Sequence, residues 1–174
     1  MGRVDEDGYL WITGRAKDII IRGGHNIDPA EIEEALAGHK AVAFAGAIGQ
    51  PDAHAGEIPC AYVELIDGGV ANPEELIEFV KERVSERAAE AKYIEILPEL
   101  PKTAVGKVFK PALRKSAITR IYNETLKDAG VDAEVQSVFE DKKRGLVAQV
   151  SGKADDAAIT AVLGSFIRPW DRIT

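Results

Sequence analysis

Residues 98–110 read PELPKTAVGKVFK, and the pair Gly106–Lys107 inside them is the first place where this chain could do chemistry. Pro98 and Pro101 precede the pair and Pro111 follows it, so the approach is stiff, while Gly106 admits a backbone turn that other residues resist. A lysine in a loop is ordinarily solvated charge. One framed in this way can present a compact cation to a carboxylate or a phosphate. The pair is not a P-loop. That motif needs a glycine where Pro101 stands and a Ser or Thr where Val108 stands.

A second candidate is the run Thr13–Asp18 followed by IIIRGGHN. Polar residues bracket three consecutive isoleucines, and Gly23–Gly24 end them. A hairpin with a glycine turn explains most of this composition. Two adjacent glycines also let another strand or a ligand approach the backbone closely. The remaining candidates carry less. His25, His39 and His54 match no helical metal pair and are taken as non-ligands, so no metal site is expected. Most of the Asp and Glu residues fall on helix surfaces or in capping turns, without a paired-carboxylate arrangement. Cys60 is the only cysteine, which excludes an internal disulfide and a cysteine-based zinc site, and nothing beside it suggests activation.

These residues need elements to hold them. Asp5–Gly8 is a turn signal with a strand after it at Tyr9–Ile12, and Asp18–Arg22 is a β-branched strand. Asp28-Pro29-Ala30-Glu31 starts a helix: Asp28 caps, Pro29 suits the first position and Glu31 can complete a capping box. Strands are expected at Ala41–Ile48, Ala61–Ile66 and Lys92–Leu97, with residues 50–57 as a loop. Asn72-Pro73-Glu74-Glu75 repeats the helix-start signal. Pro111 opens a long helix with Leu113, Ala117, Ile121, Tyr122 and Thr125 at helical spacing, closed at Gly130. Beyond it, Glu134–Phe139 and Leu146–Val150 flank a charged turn. A helical stripe runs from Ala158 to Phe166, and a short strand follows Pro169–Trp170. The expected class is α+β: a small three-stranded sheet with flanking helices and an N-terminal hairpin, then a ββαβ-like appendage. The domains are drawn at 1–116 and 117–174.

The totals bound the function. The 174 residues carry a net charge of −7, which argues against general nucleic-acid binding because that needs a basic face. The longest apolar run is far too short to cross a bilayer, so no transmembrane segment is expected. The acidic, polar start MGRVDEDGYL is not a signal peptide. The single cysteine fits a reducing compartment, and a cytoplasmic location is expected.

Three segments together resemble one family. GYLWITGRAKDIIIRGGHNIDPAEIEEAL is similar to the start of the C-terminal domain of the adenylate-forming acyl-CoA synthetases. PDAHAGEIPCAYVEL is similar to its central loop and strand, and LPKTAVGKVFK to its terminal lysine loop. They stand in the family's order and cover residues 2–115. The resemblance implies a lid on a larger N-terminal adenylation domain of the same polypeptide. That enzyme joins a carboxylic acid to AMP at the expense of ATP, then passes the acyl group to CoA. ATP and Mg would be bound mainly by the N-terminal domain, and CoA would be a substrate. By the same resemblance Lys107 is the adenylation lysine and Arg15 the residue that binds the AMP ribose. Lys17 is the hinge about which the lid turns, and Gly23 and Gly24 line the CoA tunnel. The spelling RGGHNIDP leans toward fatty or related hydrophobic acids.

The chain lacks the family's phosphate loop, acyl pocket and ribose-binding aspartate, which belong to the N-terminal domain. It is therefore expected to be a lid excised from a longer enzyme and inactive alone. Two other readings stay open: an adenylating enzyme that loads a carrier-protein thiol, and a non-catalytic binding module with the lid fold. The function of residues 117–174 is not readable from the sequence, which leaves open a capping subdomain or a surface for homo-oligomer formation.

Overall fold

Asp28 opens the first helix as its position predicts. In this computed structural model, which describes residues 2–12 and 16–173, its carboxylate accepts from the Ala30 N–H at 3.0 Å, ahead of α1 (Pro29–Ala37). The capping box does not form. Glu31 instead accepts a hydrogen bond from the Ser85 N–H, tying α1 to a distant loop. Asn72 caps α2 (Pro73–Lys81) through the Glu75 N–H at 2.8 Å.

The N-terminal hairpin comprises β1 (Gly2–Val4) and β2 (Leu10–Ile12), which pair antiparallel. A second hairpin follows, β3 (Ile20–Arg22) and β4 (His25–Ile27), turned by Gly23 and Gly24 at φ +54° and +89°. The central pair is β5 (Val42–Asp52) and β6 (Gly56–Leu65), antiparallel, with β7 (Tyr93–Leu97) parallel to β6. These three are the expected sheet, and the second hairpin extends it to five strands through the Arg22–Gly56 pairing. Residues 50–57 are not an open loop. The strands run on to Asp52 and Gly56, because Asp52 accepts from the His54 and Ala55 N–H groups and Gly56 takes φ +80°.

Successive residues of the two long strands face opposite layers, as strand geometry requires. Ala47, Ala61 and Val63 pack with Ile32 and Leu36 of α1 and Leu76 and Val80 of α2. Ile48, Cys60 and Tyr62 pack with Leu100, Leu113 and Ala117 on the other face. Both faces are covered, which explains why these strands read as unbroken apolar runs.

Leu113 and Ala117 belong to α3 (Lys110–Asp128), which serves two cores. Its later turns give Ile118, Tyr122 and Leu126 to a second sheet of β8 (Ala133–Asp141), β9 (Gly145–Gly152) and β10 (Trp170–Arg172). The strand order is β10-β9-β8, with β10 parallel to β9, and α4 (Asp156–Leu163) adds Ile159 and Leu163 to the same core. The division drawn after residue 116 lies inside this continuous helix. Gly130, at φ +67°, ends α3: its N–H reaches the Lys127 carbonyl and the Val131 N–H reaches that of Leu126.

Candidate functional site

The lysine loop is a tight hairpin rather than a slack connection. Lys102 and Val108 form its base as an isolated β-bridge. The Gly106 N–H donates to the Thr103 carbonyl at 2.8 Å, and the Thr103 N–H donates to that of Lys107 at 2.7 Å. The Lys107 N–H donates to the Thr103 hydroxyl at 3.2 Å. Gly106 sits at φ +78°, the left-handed conformation that closes a three-residue hairpin loop. Its role as the residue permitting the turn follows from that angle.

Three basic residues around the loop are already engaged. Lys102 lies 2.6 Å from the Glu64 carboxylate and over the Phe44 ring. Lys110, at the start of α3, is 2.8 Å from Glu33 of α1. Arg114 is 2.7 Å from Asp18. Lys107 differs from all three: its side chain is exposed, and its ammonium has no partner among the described residues. The fold pairs the flanking cations and leaves this one available. Val108 is seated on β5, where Gly46 makes room; a Cβ there would come within 2.8 Å of Val108 Cγ1.

The anchor at Glu64 gives a pH prediction. The Lys102 ammonium, and after it the Leu100 N–H, hold the Glu64 carboxyl below the usual carboxylate range. A depressed folded-state pKa means that the anchor's stabilisation is fully present above the ordinary glutamate value. It fades as pH falls through the lower folded value. The Leu100 amide resonance is therefore expected to titrate with a midpoint below that of an exposed glutamate. A midpoint at or above about 4.3 would contradict the anchor.

Gly23 and Gly24 lie at the other end of the sheet. They form the tip of the β3–β4 hairpin, and the Gly23 N–H donates to the Ala55 carbonyl at 2.8 Å, in the β5–β6 turn. A Cβ on either would meet nothing within 4 Å, so their backbone faces open space. Beside them is an open hollow of ≈ 550 Å³, lined by Arg22, Gly23, His25 and Glu86 among others. Arg22 is held there by the Ala88 carbonyl at 2.8 Å. The lysine loop rests near Phe44 and Gly46, whereas the glycine hairpin rests near Asp52 and Ala55. Six to eight strand residues separate the two bases, which is about 20–27 Å at the usual rise per residue.

Lys17 is exposed in a short 3-10 turn, Ala16–Asp18. Its carbonyl accepts from the Arg114 guanidinium at 3.3 Å, beside the Arg114–Asp18 pair. The domain thus grips the chain immediately after Lys17. Arg15 lies outside the described residues. Sequence reasoning missed Glu64, Glu33 and Arg114 as supports of the site. Their partners are far away in the chain, and no local pattern marks such pairs.

Two other groups have structural parts. His39 is buried; its Nδ1 accepts from the Ala41 N–H, its Nε2 reaches Glu75, and its ring meets Phe79 edge-on. Burial pushes the Cys60 thiol up to about 12, so it remains protonated and inert at neutral pH. Among the described residues, no three His, Cys, Asp or Glu side chains gather as a metal site. No helix among them is long and apolar enough to cross a membrane.

Comparison with known proteins places this arrangement in context. Residues 31–107 match the family described as AMP-binding enzyme C-terminal domain. The chain is 41% identical over 175 residues to the marinolic acid–CoA ligase of Pseudoalteromonas sp. (strain SANK 73390), covering 99% of this chain and 27% of that protein. It is 45% identical over 113 residues to the long-chain-fatty-acid–CoA ligase of Bacillus subtilis (strain 168), covering 65% of this chain and 20% of that one. The solved fatty acyl CoA synthetase of Mycobacterium tuberculosis superposes on 65% of the chain and 22% of its own, with a TM-score of 0.55 and 36% identity. The chain therefore spans about a quarter or less of the length of these relatives. The match to the Pseudoalteromonas protein runs through the second sheet; the other two cover about two-thirds of the chain.

Proposed function

This chain belongs to the adenylate-forming acyl-CoA synthetases, as their C-terminal domain, and from that premise we propose that it is the mobile lid of an AMP-forming acid–CoA ligase. The observation that carries the proposal is the pairing of one available ammonium, Lys107, with a separate glycine hairpin at the far end of the same sheet. A single nucleotide cleft cannot meet both ends at once when they lie about 20 Å or more apart. Presenting them in turn requires the domain to swing, and a swing needs a pivot.

In the first step Lys107 holds the substrate carboxylate against the phosphate oxygens of ATP. A positioned ammonium in a closed site offsets the repulsion of the two anions as they approach. Its stiff hairpin keeps it from collapsing onto a neighbouring carboxylate. Lys17 is the hinge: Arg114 fixes the chain on the lid side of it, so rotation is confined to Lys17 and the residues before it. Arg15, just before the hinge, binds the AMP ribose. In the second step Gly23 and Gly24 form the wall along which the narrow pantetheine arm of CoA passes. Side chains at these positions would occupy that path. ATP and its Mg are bound mainly by the N-terminal adenylation domain of the same polypeptide, which also holds the carboxylic acid. A fatty or related hydrophobic acid is the substrate class, and the cytoplasm the setting.

On this reading the 174-residue chain alone has no complete nucleotide site. Supplied with ATP, Mg and a fatty acid, it is expected to release no pyrophosphate above a no-protein blank. Release by the purified chain would overturn the proposal. In a longer ligase carrying this domain, free CoA is expected to accept the acyl group. Acceptance only by a phosphopantetheinylated carrier protein would favour the carrier-loading alternative, and a parent with no adenylation domain would leave a binding module.

A further inference from the structure

The connection between α4 and β10 crosses from the second unit to the first. Phe166 packs on the Tyr122 ring at 5.0 Å, and the Tyr122 hydroxyl donates to the Arg168 carbonyl. The Arg168 guanidinium lies 2.7 Å from Glu57 Oε1. The other oxygen of Glu57 accepts from the Ile21 N–H at 3.2 Å, inside the β3–β4 hairpin. One carboxylate thus joins the C-terminal unit to the strand that carries the glycine turn. Two glycines make the seating fit. A Cβ on Gly49 would come within 2.5 Å of Glu57 Oε2, and one on Gly56 within 2.6 Å of Ile167 Cδ1. The Gly23 N–H completes the arrangement through the Ala55 carbonyl, next to Gly56.

We infer that the α4–β10 connection is a clamp on the Gly23–Gly24 hairpin, with Arg168 as its positioning residue acting through Glu57. The C-terminal unit is then a part of the thiol-accepting face, because it sets where the glycine turn stands. This rests on the reading of that turn as the CoA wall. Ile20 and Ile27 root the hairpin in the first core, but from Ile21 to His25 it is mostly exposed, so the hydrogen bonds of Glu57 with Ile21 and of Ala55 with Gly23 carry much of the local stability of its tip.

The test uses amide hydrogen exchange on the 174-residue chain. In Arg168→Ala, exchange at Ile21 and Gly23 is expected to rise on the order of tenfold, while Val135, bonded to Asn123 across the second core, keeps its rate. Glu57→Gln, which leaves an acceptor for Ile21 but weakens the hold on Arg168, should give a smaller rise at the same amides. Arg144→Ala, which removes the distant pair with Asp171, should give none there. Unchanged Ile21 and Gly23 in both of the first two variants would overturn the clamp. In a longer ligase carrying the domain, Arg168→Ala should raise the KM for CoA about tenfold more than it alters pyrophosphate release, with partial rescue by Arg168→Lys. Equal effects on both steps would overturn the positioning role. A ligase that refuses free CoA would count against the acceptor reading, and the exchange rates would still decide the clamp.

Discussion

Lys107→Ala, made in a longer ligase that carries this domain, is expected to slow acyl-adenylate formation on the order of 10²- to 10³-fold, the usual cost of losing one preorganised charge-stabilising group. The fold itself should not notice. The side chain is exposed and has no partner among the described residues, so unfolding of the variant should move by less than about 0.5 kcal/mol. This separation distinguishes a catalytic lysine from a structural one. Lys102 and Lys110, a few residues away, are each paired with a carboxylate, and removing either would loosen the loop instead. Lys107→Arg should not rescue the rate. A planar guanidinium does not place a compact charge where an ammonium did. ATP–pyrophosphate exchange, which reads adenylation alone, is the measurement.

Tyr122→Ala is expected to cost the isolated chain about 3–5 kcal/mol, read from the midpoint of urea unfolding. Its side chain is fully buried in the second core, against Phe166, and its hydroxyl satisfies the Arg168 carbonyl. Truncation would leave a large cavity and a stranded acceptor together. Burial also pushes the phenol above the usual tyrosine range, so it stays a neutral donor at any ordinary pH. Tyr122→Phe should lose only the hydrogen bond, about 1 kcal/mol. A loss below about 1 kcal/mol for Tyr122→Ala would mean that the second unit does not depend on this helix as described.

The elements were legible where one residue carries the signal for a local event. Asp28 and Asn72 announce helix starts because a short acceptor followed by proline has few other uses. Gly130 announces a helix end because that position needs positive φ. Glu31 shows the limit of such signals. It stands where a capping box needs it, yet bonds Ser85, a partner no local pattern could name. The run 50–57 looked like a loop for its Pro, Asp and Gly. In the fold it is the tip of a hairpin whose strands continue through the proline, Pro51 pairing with Glu57.

The site divides in the same way. Lys107 stood out because prolines and a glycine frame it, and the structure gives that frame a physical form in the Thr103–Lys107 turn. What keeps the loop in place was invisible. Glu64, Glu33 and Asp18 look like ordinary surface acids until folding brings Lys102, Lys110 and Arg114 to them. The tie from Arg168 to Glu57 is of the same kind, since it links the α4–β10 connection to the start of β6.

The account's central claim is that this domain serves two chemical steps with two different ends. The most direct measurement supplies preformed acyl-adenylate and CoA to the Lys107→Ala ligase in single turnover, so that adenylation is bypassed. Thioester should form at close to the unmodified rate, because the glycine hairpin, not the lysine, faces that step. If thioester formation falls as far as adenylation does, the two ends do not act separately and the swinging lid is wrong.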